Sequence, residues 1–221
     1  MATSTEEQSQ PLAGLPEGRQ AVLKALRTHG EVSAEELARS LGMTISGARQ
    51  HLAALVEDRL VSKRELRGGP GRPKARYSLA PAAEGLFPKR YGDLTNELLG
   101  YVADEQPNMV EQLFERRRQR RVERARERLA GKSFAERVAE LARILDEDGY
   151  LADFTRADDG SFRITEHNCA ILDVARRWGH ACSSEIAFLR EALPDAEVTR
   201  VAHMIGGAHV CAYEVRPSKA G

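Results

Sequence analysis

Three cysteines, Cys169, Cys182 and Cys211, stand in the last quarter of a 221-residue chain at the spacing C-x12-C-x28-C. Thiolates are soft ligands that suit zinc and iron–sulfur clusters, provided that they converge in space. No compact CxxC knuckle is present, which argues against a structural zinc ribbon. An odd number of thiols in a chain with no export signal is also unsuited to a disulfide framework. From spacing alone, three small buried thiols serving as hydrophobes explain the pattern as readily as three ligands. Cys182 follows His180 by two residues, and Ser183 and Ser184 open an expected helix whose dipole could lower a thiol pKa. A thiol-dependent enzyme fused to another module is therefore a rival reading. It lacks a Gly-rich phosphate cradle, an acid pair and a third orienting residue, so no catalytic residue is assigned and the expectation is a non-enzyme.

A second group with chemical meaning is TISGARQH, residues 44–51. A helix that reads the major groove needs small or polar residues near its N-terminus and long donors able to reach base edges. Arg49 could pair bidentately with guanine and Gln50 with adenine, while Thr44 and Ser46 could meet phosphate and Gly47 keeps the surface low. From Arg59 to Arg76 the chain carries seven basic residues against the single acid Glu65. Arg64, Arg67, Arg72, Lys74 and Arg76 belong to this stretch, and Arg72 sits in Gly71-Arg72-Pro73, which could present an arginine to a minor groove. A generic three-helix core with a polar surface helix explains TISGARQH alone. It gives no reason for the positive excess beside it, so double-stranded DNA is the expected partner.

The elements that must position these groups follow from periodicity. A helix is expected over about 16–29, opened by Pro16 and closed by Gly30. Ser33 and Glu36 have capping-box spacing, Leu37, Ala38 and Leu41 form the buried face of a second helix, and Gly42 ends it. Thr44 caps a third helix with Ala48, Leu52, Leu55 and Val56 inward. Two strand-like arms, 61–67 and 74–79, flank a Gly/Pro tip and read as a hairpin, hence a wing. Residues 82–129 read as helical with breaks near Pro88 and Pro107, and eight arginines fall between Arg116 and Arg128. That segment is either a solvated face or a helix that contacts phosphate or bridges a dimer. The remainder alternates strand, helix and strand patterns.

The expected architecture is α+β: an N-terminal winged helix-turn-helix, central helices and a C-terminal α+β domain, which the resemblance described below marks as cluster-binding. Its segments are a disordered tail (1–14), the DNA-binding domain (15–81), a helical linker or dimerisation region (82–131) and the C-terminal domain (132–217). Lys plus Arg and Asp plus Glu each number 33, so net charge argues for no partner and only its distribution informs. Residues 140–160 hold seven acids against two arginines, opposite to the wing. No run approaches the roughly 18 apolar residues that cross a bilayer, so a cytoplasmic protein with no membrane partner is expected.

Residues 16–101, with VSAEELARSLGMTISGARQHLAALVEDRLVSKR, the GRP wing and AAEGLFPKRYGDL, resemble winged-helix repressors related to the ArsR superfamily. The stretch EHNCAILDVARRWGHACSSEIAFLREAL through HVCAYEV resembles the SufR-type iron–sulfur-responsive repressors. The family pattern is C-x12-C-x13-H-x14-C. Cys169, Cys182 and Cys211 fill its cysteine positions without a gap. The resemblance implies that they ligate a cluster, [4Fe-4S] first and [2Fe-2S] as the alternative. It also implies repression of cluster-assembly genes by the loaded form and release of DNA on cluster loss, and a homodimer with two wings is expected.

At the family's histidine position stands Ala196, whose methyl cannot coordinate iron. Candidate fourth ligands are its neighbours Asp195 and Glu197, His209, which would share a strand face with Cys211, and His167, two residues before Cys169. The direction of His180 is open, and His203 reads as a strand residue. A three-cysteine site with an open or small-molecule-filled iron position is the other possibility. The main rival is a winged-helix regulator that senses mononuclear Zn(II) or Fe(II), or an apolar ligand. A structural or adaptor role is a further one.

Overall fold

The computed structural model describes residues 11–66 and 74–218, and the chain divides into two compact units, residues 1–89 and 90–221. In the first unit, helices α1 (Glu17–His29), α2 (Ala34–Leu41) and α3 (Ile45–Glu57) precede a hairpin of β1 (Val61–Leu66) and β2 (Lys74–Leu79). Its core is the expected inward set: Val22, Leu23 and Leu26 of α1, Leu37 and Ala38 of α2, and Ala48, Leu52 and Leu55 of α3.

Local chemistry fixes the starts of α2 and α3. The Ser33 hydroxyl accepts from the Glu36 amide at 3.2 Å, and the Glu36 carboxylate accepts from the Ser33 amide at 2.7 Å, completing the capping box. Gly42 ends α2 in the left-handed conformation (φ 63°), which reverses the chain into α3 without the steric cost of a Cβ. Thr44 then caps α3, its Oγ1 accepting from the Gly47 amide at 3.1 Å. β1 and β2 pair antiparallel from Val61↔Leu79 to Leu66↔Lys74, and a bridge from Val32 to Tyr77 ties β2 to the turn before α2. Three helices and a hairpin in this order make a winged helix-turn-helix. The wing tip, with Arg67 and Arg72, lies outside the described residues.

The second unit opens with α4 (Tyr91–Glu105), α5 (Met109–Leu129) and α6 (Phe134–Leu145). Strands β3 (Ala152–Arg156) and β4 (Phe162–Glu166), helices α7 (Leu172–Arg177) and α8 (Gly179–Ala192), and strands β5 (Ala196–Ala202) and β6 (Cys211–Pro217) complete it. The sheet is antiparallel in the order β3-β4-β6-β5. Its core joins Ile164, Val198, Tyr213 and Val215 to Leu141 and Leu145 of α6, Phe188 and Leu189 of α8, and Val122, Ala125 and Leu129 of α5. The fold class is α+β, and among the described residues no helix is long and apolar enough to cross a membrane.

Three expectations need correction. Residues 11–14 are not tail: they form a 3-10 turn, and Leu12 is buried in the first unit's core. Residues 82–131 are not a separate linker, because the chain divides between 89 and 90 and α5 supplies core residues to the second unit. The arginine-rich helix is accordingly not a merely solvated face. Arg121 is 4% exposed and pairs with Glu185 at 2.8 Å and Asp148 at 2.9 Å. Arg128 pairs with Glu140 and Glu147, and Arg118 with Glu115 and Glu191. The acidic stretch at 140–148 is thus the counter-charge of α5.

Candidate nucleic-acid interface and thiol centre

On α3 the first turn after the Thr44 cap exposes Ile45, Ser46, Arg49 and Gln50 on one side, while Ala48 and Leu52 hold the other in the core. Gly47 has a local reason: a Cβ there would meet the Thr44 Oγ1 at 3.2 Å and crowd the cap. The Thr44 oxygen accepts inside the cap, and its hydroxyl proton can be donated to an outside acceptor such as a phosphate oxygen. Exposed Ile45 was not among the sequence-level candidates, and an apolar side chain beside Arg49 and Gln50 can meet a thymine methyl.

The arginines of this surface have carboxylate partners. Arg49 reaches Glu35 at 2.6 Å, Arg64 reaches Glu31 at 2.9 Å and Arg76 reaches Glu36 at 2.6 Å. Arg76 also donates to the Glu31 carbonyl. Exposed pairs of this kind are worth about 0–1 kcal/mol, so a phosphate or a guanine edge can replace the carboxylate at small cost. Of Lys74 only the backbone, at the start of β2, is described.

In the second unit the three cysteines come from three different elements and line one pocket. Cys169 lies in the turn between β4 and α7, Cys182 in the first turn of α8 and Cys211 at the start of β6. The helix holding Cys182 begins at Gly179, four residues earlier than its sequence suggests. All three are free thiols, and burial pushes each thiol up from its usual range. The Cys211 sulfur accepts from the Met204 amide at 3.4 Å, and the Arg200 guanidinium, stacked over the Tyr213 ring, donates to the Cys182 carbonyl. Cys169 and Cys182 also belong to a small core with Ala175, Ala181 and Trp178.

Four residues that line the pocket carry polar atoms with no partner. Glu166 Oε1, Glu185 Oε1, Arg200 Nε and His203 Nε2 all belong to lining residues, are shut off from solvent and have no hydrogen-bond partner. Burial and then the charge of Glu185 push the Glu166 carboxyl well above the usual carboxylate range. Burial, then Arg200, lowers the pKa of His203, favouring its neutral imidazole. Unsatisfied buried polar atoms are rare in native interiors and several in one place call for a missing partner.

The four candidate fourth ligands lie elsewhere. His167 is exposed and bonded to Asp153 at 3.0 Å, Asp195 pairs with Arg137, Glu197 is exposed opposite Arg216 on β5, and His209 is exposed beyond the pocket. None lines the thiol pocket, whereas His203, Glu166, Glu185 and Arg200 do. His203 was legible only as a strand residue. A bulge in β5 explains why: the register shifts between Arg200 and Ala202, so simple alternation misplaces the residues beyond it.

A family model described as a helix-turn-helix domain matches residues 19–64, from α1 into β1. No curated protein matches the chain. Among solved structures, a possible transcriptional regulator from Methanosarcina mazei Go1 is 13% identical, with a TM-score of 0.30 over 46% of this chain and 81% of that one. Staphylococcus aureus MarR, in complex with salicylate and kanamycin, is 19% identical, with a TM-score of 0.30 over 46% and 68% of the two chains. Bacillus subtilis PadR in complex with operator DNA is 18% identical, with a TM-score of 0.28 over 59% and 90%. Similarity this low leaves the ligand and partner of the present chain to be argued from its own residues.

Proposed function

We propose that this chain is a homodimeric DNA-binding transcriptional regulator whose second unit holds an iron–sulfur cluster on Cys169, Cys182 and Cys211. The observation that carries the reading is the meeting of three thiols, distant in sequence, in one pocket with unpartnered polar atoms, in a chain that also carries a winged helix-turn-helix. The donor set fits such a group: thiolates are its usual ligands, and its bridging sulfides could accept from the unpartnered Arg200 Nε. The interior space between the side chains is only about 20 Å3, so loading must push them apart. Among the described residues no set of three His, Cys, Asp or Glu is placed to hold a single metal ion. Iron, sulfide and zinc content separates a cluster from a single metal ion.

When bound, the group supplies a cross-link whose presence follows iron supply and oxidants. Cys169 ties the turn before α7, Cys182 ties α8 and Cys211 ties the sheet. α7 in turn packs on α4, where Asn96 donates to the Asp173 carbonyl at 3.0 Å and accepts from the Trp178 indole at 3.0 Å. The opposite face of α4 exposes Tyr91, Leu94, Leu98 and Tyr101, spaced 3, 4 and 3 residues apart. This is the a/d spacing of a helix seam and supports a second copy as its partner. Opening the thiol pocket would then shift α7 and α4 and, through the dimer, the separation of the two α3 helices on DNA.

By its resemblance, the loaded form represses cluster-assembly genes and the cluster-free form releases them. The test is operator binding in parallel on anaerobic loaded protein, the same protein after chelation, and Cys182→Ser. Tight binding by the loaded wild type alone supports the reading, and equal binding by all three would contradict it.

A further inference from the structure

We propose that His203 supplies the fourth protein ligand of the cluster through Nε2, in place of the donor missing at Ala196. The inference rests on the cluster reading above. Its geometry is independent of sequence spacing: His203 lines the same pocket as Cys169, Cys182 and Cys211, and its Nε2 is buried without a hydrogen-bond partner.

The backbone explains how the ring gets there. In a regular strand Arg200 and His203, three residues apart, would face opposite sides. The register of β5 against β6 slips between Arg200 and Ala202, leaving Val201 as the extra residue, 44% exposed. The slip reverses the alternation, and Arg200 and His203 both line the pocket. The turn is also tied to a thiol ligand: the next residue, Met204, donates its amide to the Cys211 sulfur, and the His203 carbonyl accepts from Gly206 and Ala208. A group that binds Cys211 would therefore lie beside the turn that carries His203.

The other orphaned atoms are poorer donors to iron. Arg200 Nε has no lone pair to give. Glu185 already answers Arg121 and Tyr150 through its other oxygen. Glu166 Oε2 is within 3.4 Å of the Tyr213 hydroxyl, and a fourth anion beside three thiolates in a buried site adds a desolvation cost that a neutral imidazole does not.

The 221-residue chain, labelled with 15N-histidine or left at natural abundance, would be reconstituted anaerobically with ferrous iron and sulfide, reduced with dithionite and examined by pulsed EPR. The wild type should show hyperfine coupling from one directly bound imidazole nitrogen. His203→Ala should keep iron and sulfide on three cysteines, lose that coupling and bleach in chelator roughly tenfold faster. His203→Cys should recover the slow bleaching without the coupling, and His167→Ala and His209→Ala should resemble wild type. A fully loaded wild type with no imidazole coupling, or coupling that persists in His203→Ala, overturns the assignment while leaving the cluster intact. A wild type that takes up neither iron nor sulfide overturns the cluster reading and this inference with it. The labelled wild-type spectrum decides the matter even if His203→Ala fails to fold.

Discussion

The role of a single side chain in this protein depends on which partner it has been given. Cys182 packs against a small apolar core and its carbonyl accepts from Arg200, and a serine is close to it in size. Cys182→Ser should leave the far-ultraviolet circular dichroism close to wild type and remove the visible absorbance of reconstituted protein, and a chromophore of unchanged intensity would contradict a ligand role. Arg121 is the opposite case. It is buried against Phe188, 4.2 Å from the ring centroid, and neutralises Glu185. Arg121→Ala strands that carboxylate beside the thiol pocket and should cost about 3–5 kcal/mol in urea unfolding, the usual penalty for breaking a buried pair. A loss well under 1 kcal/mol would mean that water or the pocket residues answer Glu185 instead.

At the scale of elements, α3 is expected to carry recognition and the wing to carry affinity. Arg49→Ala should cost about 1–3 kcal/mol on the cognate operator and little on random DNA. Arg64→Ala should weaken both alike and flatten the salt dependence, because a phosphate contact acts through counterion release. Fluorescence anisotropy across a salt series separates the two outcomes. For α4, Leu94→Glu together with Leu98→Glu should give a monomer in sedimentation velocity, and a dimer that survives both charges would place the interface elsewhere.

The same scale shows what could be read in advance. Capping residues, the αL glycine and the 3.6-residue stripes of α1 to α3 are local signals, and Ser33, Gly42 and Thr44 do in the structure what their types suggest. The boundary at 89 and the burial of α5 are not local. An arginine-rich helix looks solvated until Glu185 and Asp148, far along the chain, are brought to Arg121. The thiol pocket was legible as three cysteines and no further. The polar residues that share it depend on sheet register, and a single extra residue at Val201 hides His203 from any argument by alternation.

At the scale of the whole molecule we propose coupling, in which a group tying the turn before α7, α8 and β6 changes how two winged helices meet DNA. Such couplings are typically worth about 1–3 kcal/mol, so loaded and cluster-free protein should differ roughly 5–150-fold in operator affinity. The central claim beneath it is that these three cysteines hold iron and sulfide. The most direct test is the visible absorption spectrum of anaerobically purified protein, with iron, acid-labile sulfide and zinc quantified on the same sample. Broad visible absorbance that accompanies iron and sulfide and bleaches in air is the predicted result. A colourless protein, metal-free after attempted reconstitution or carrying stoichiometric zinc, would contradict it and leave the winged helix without its sensor.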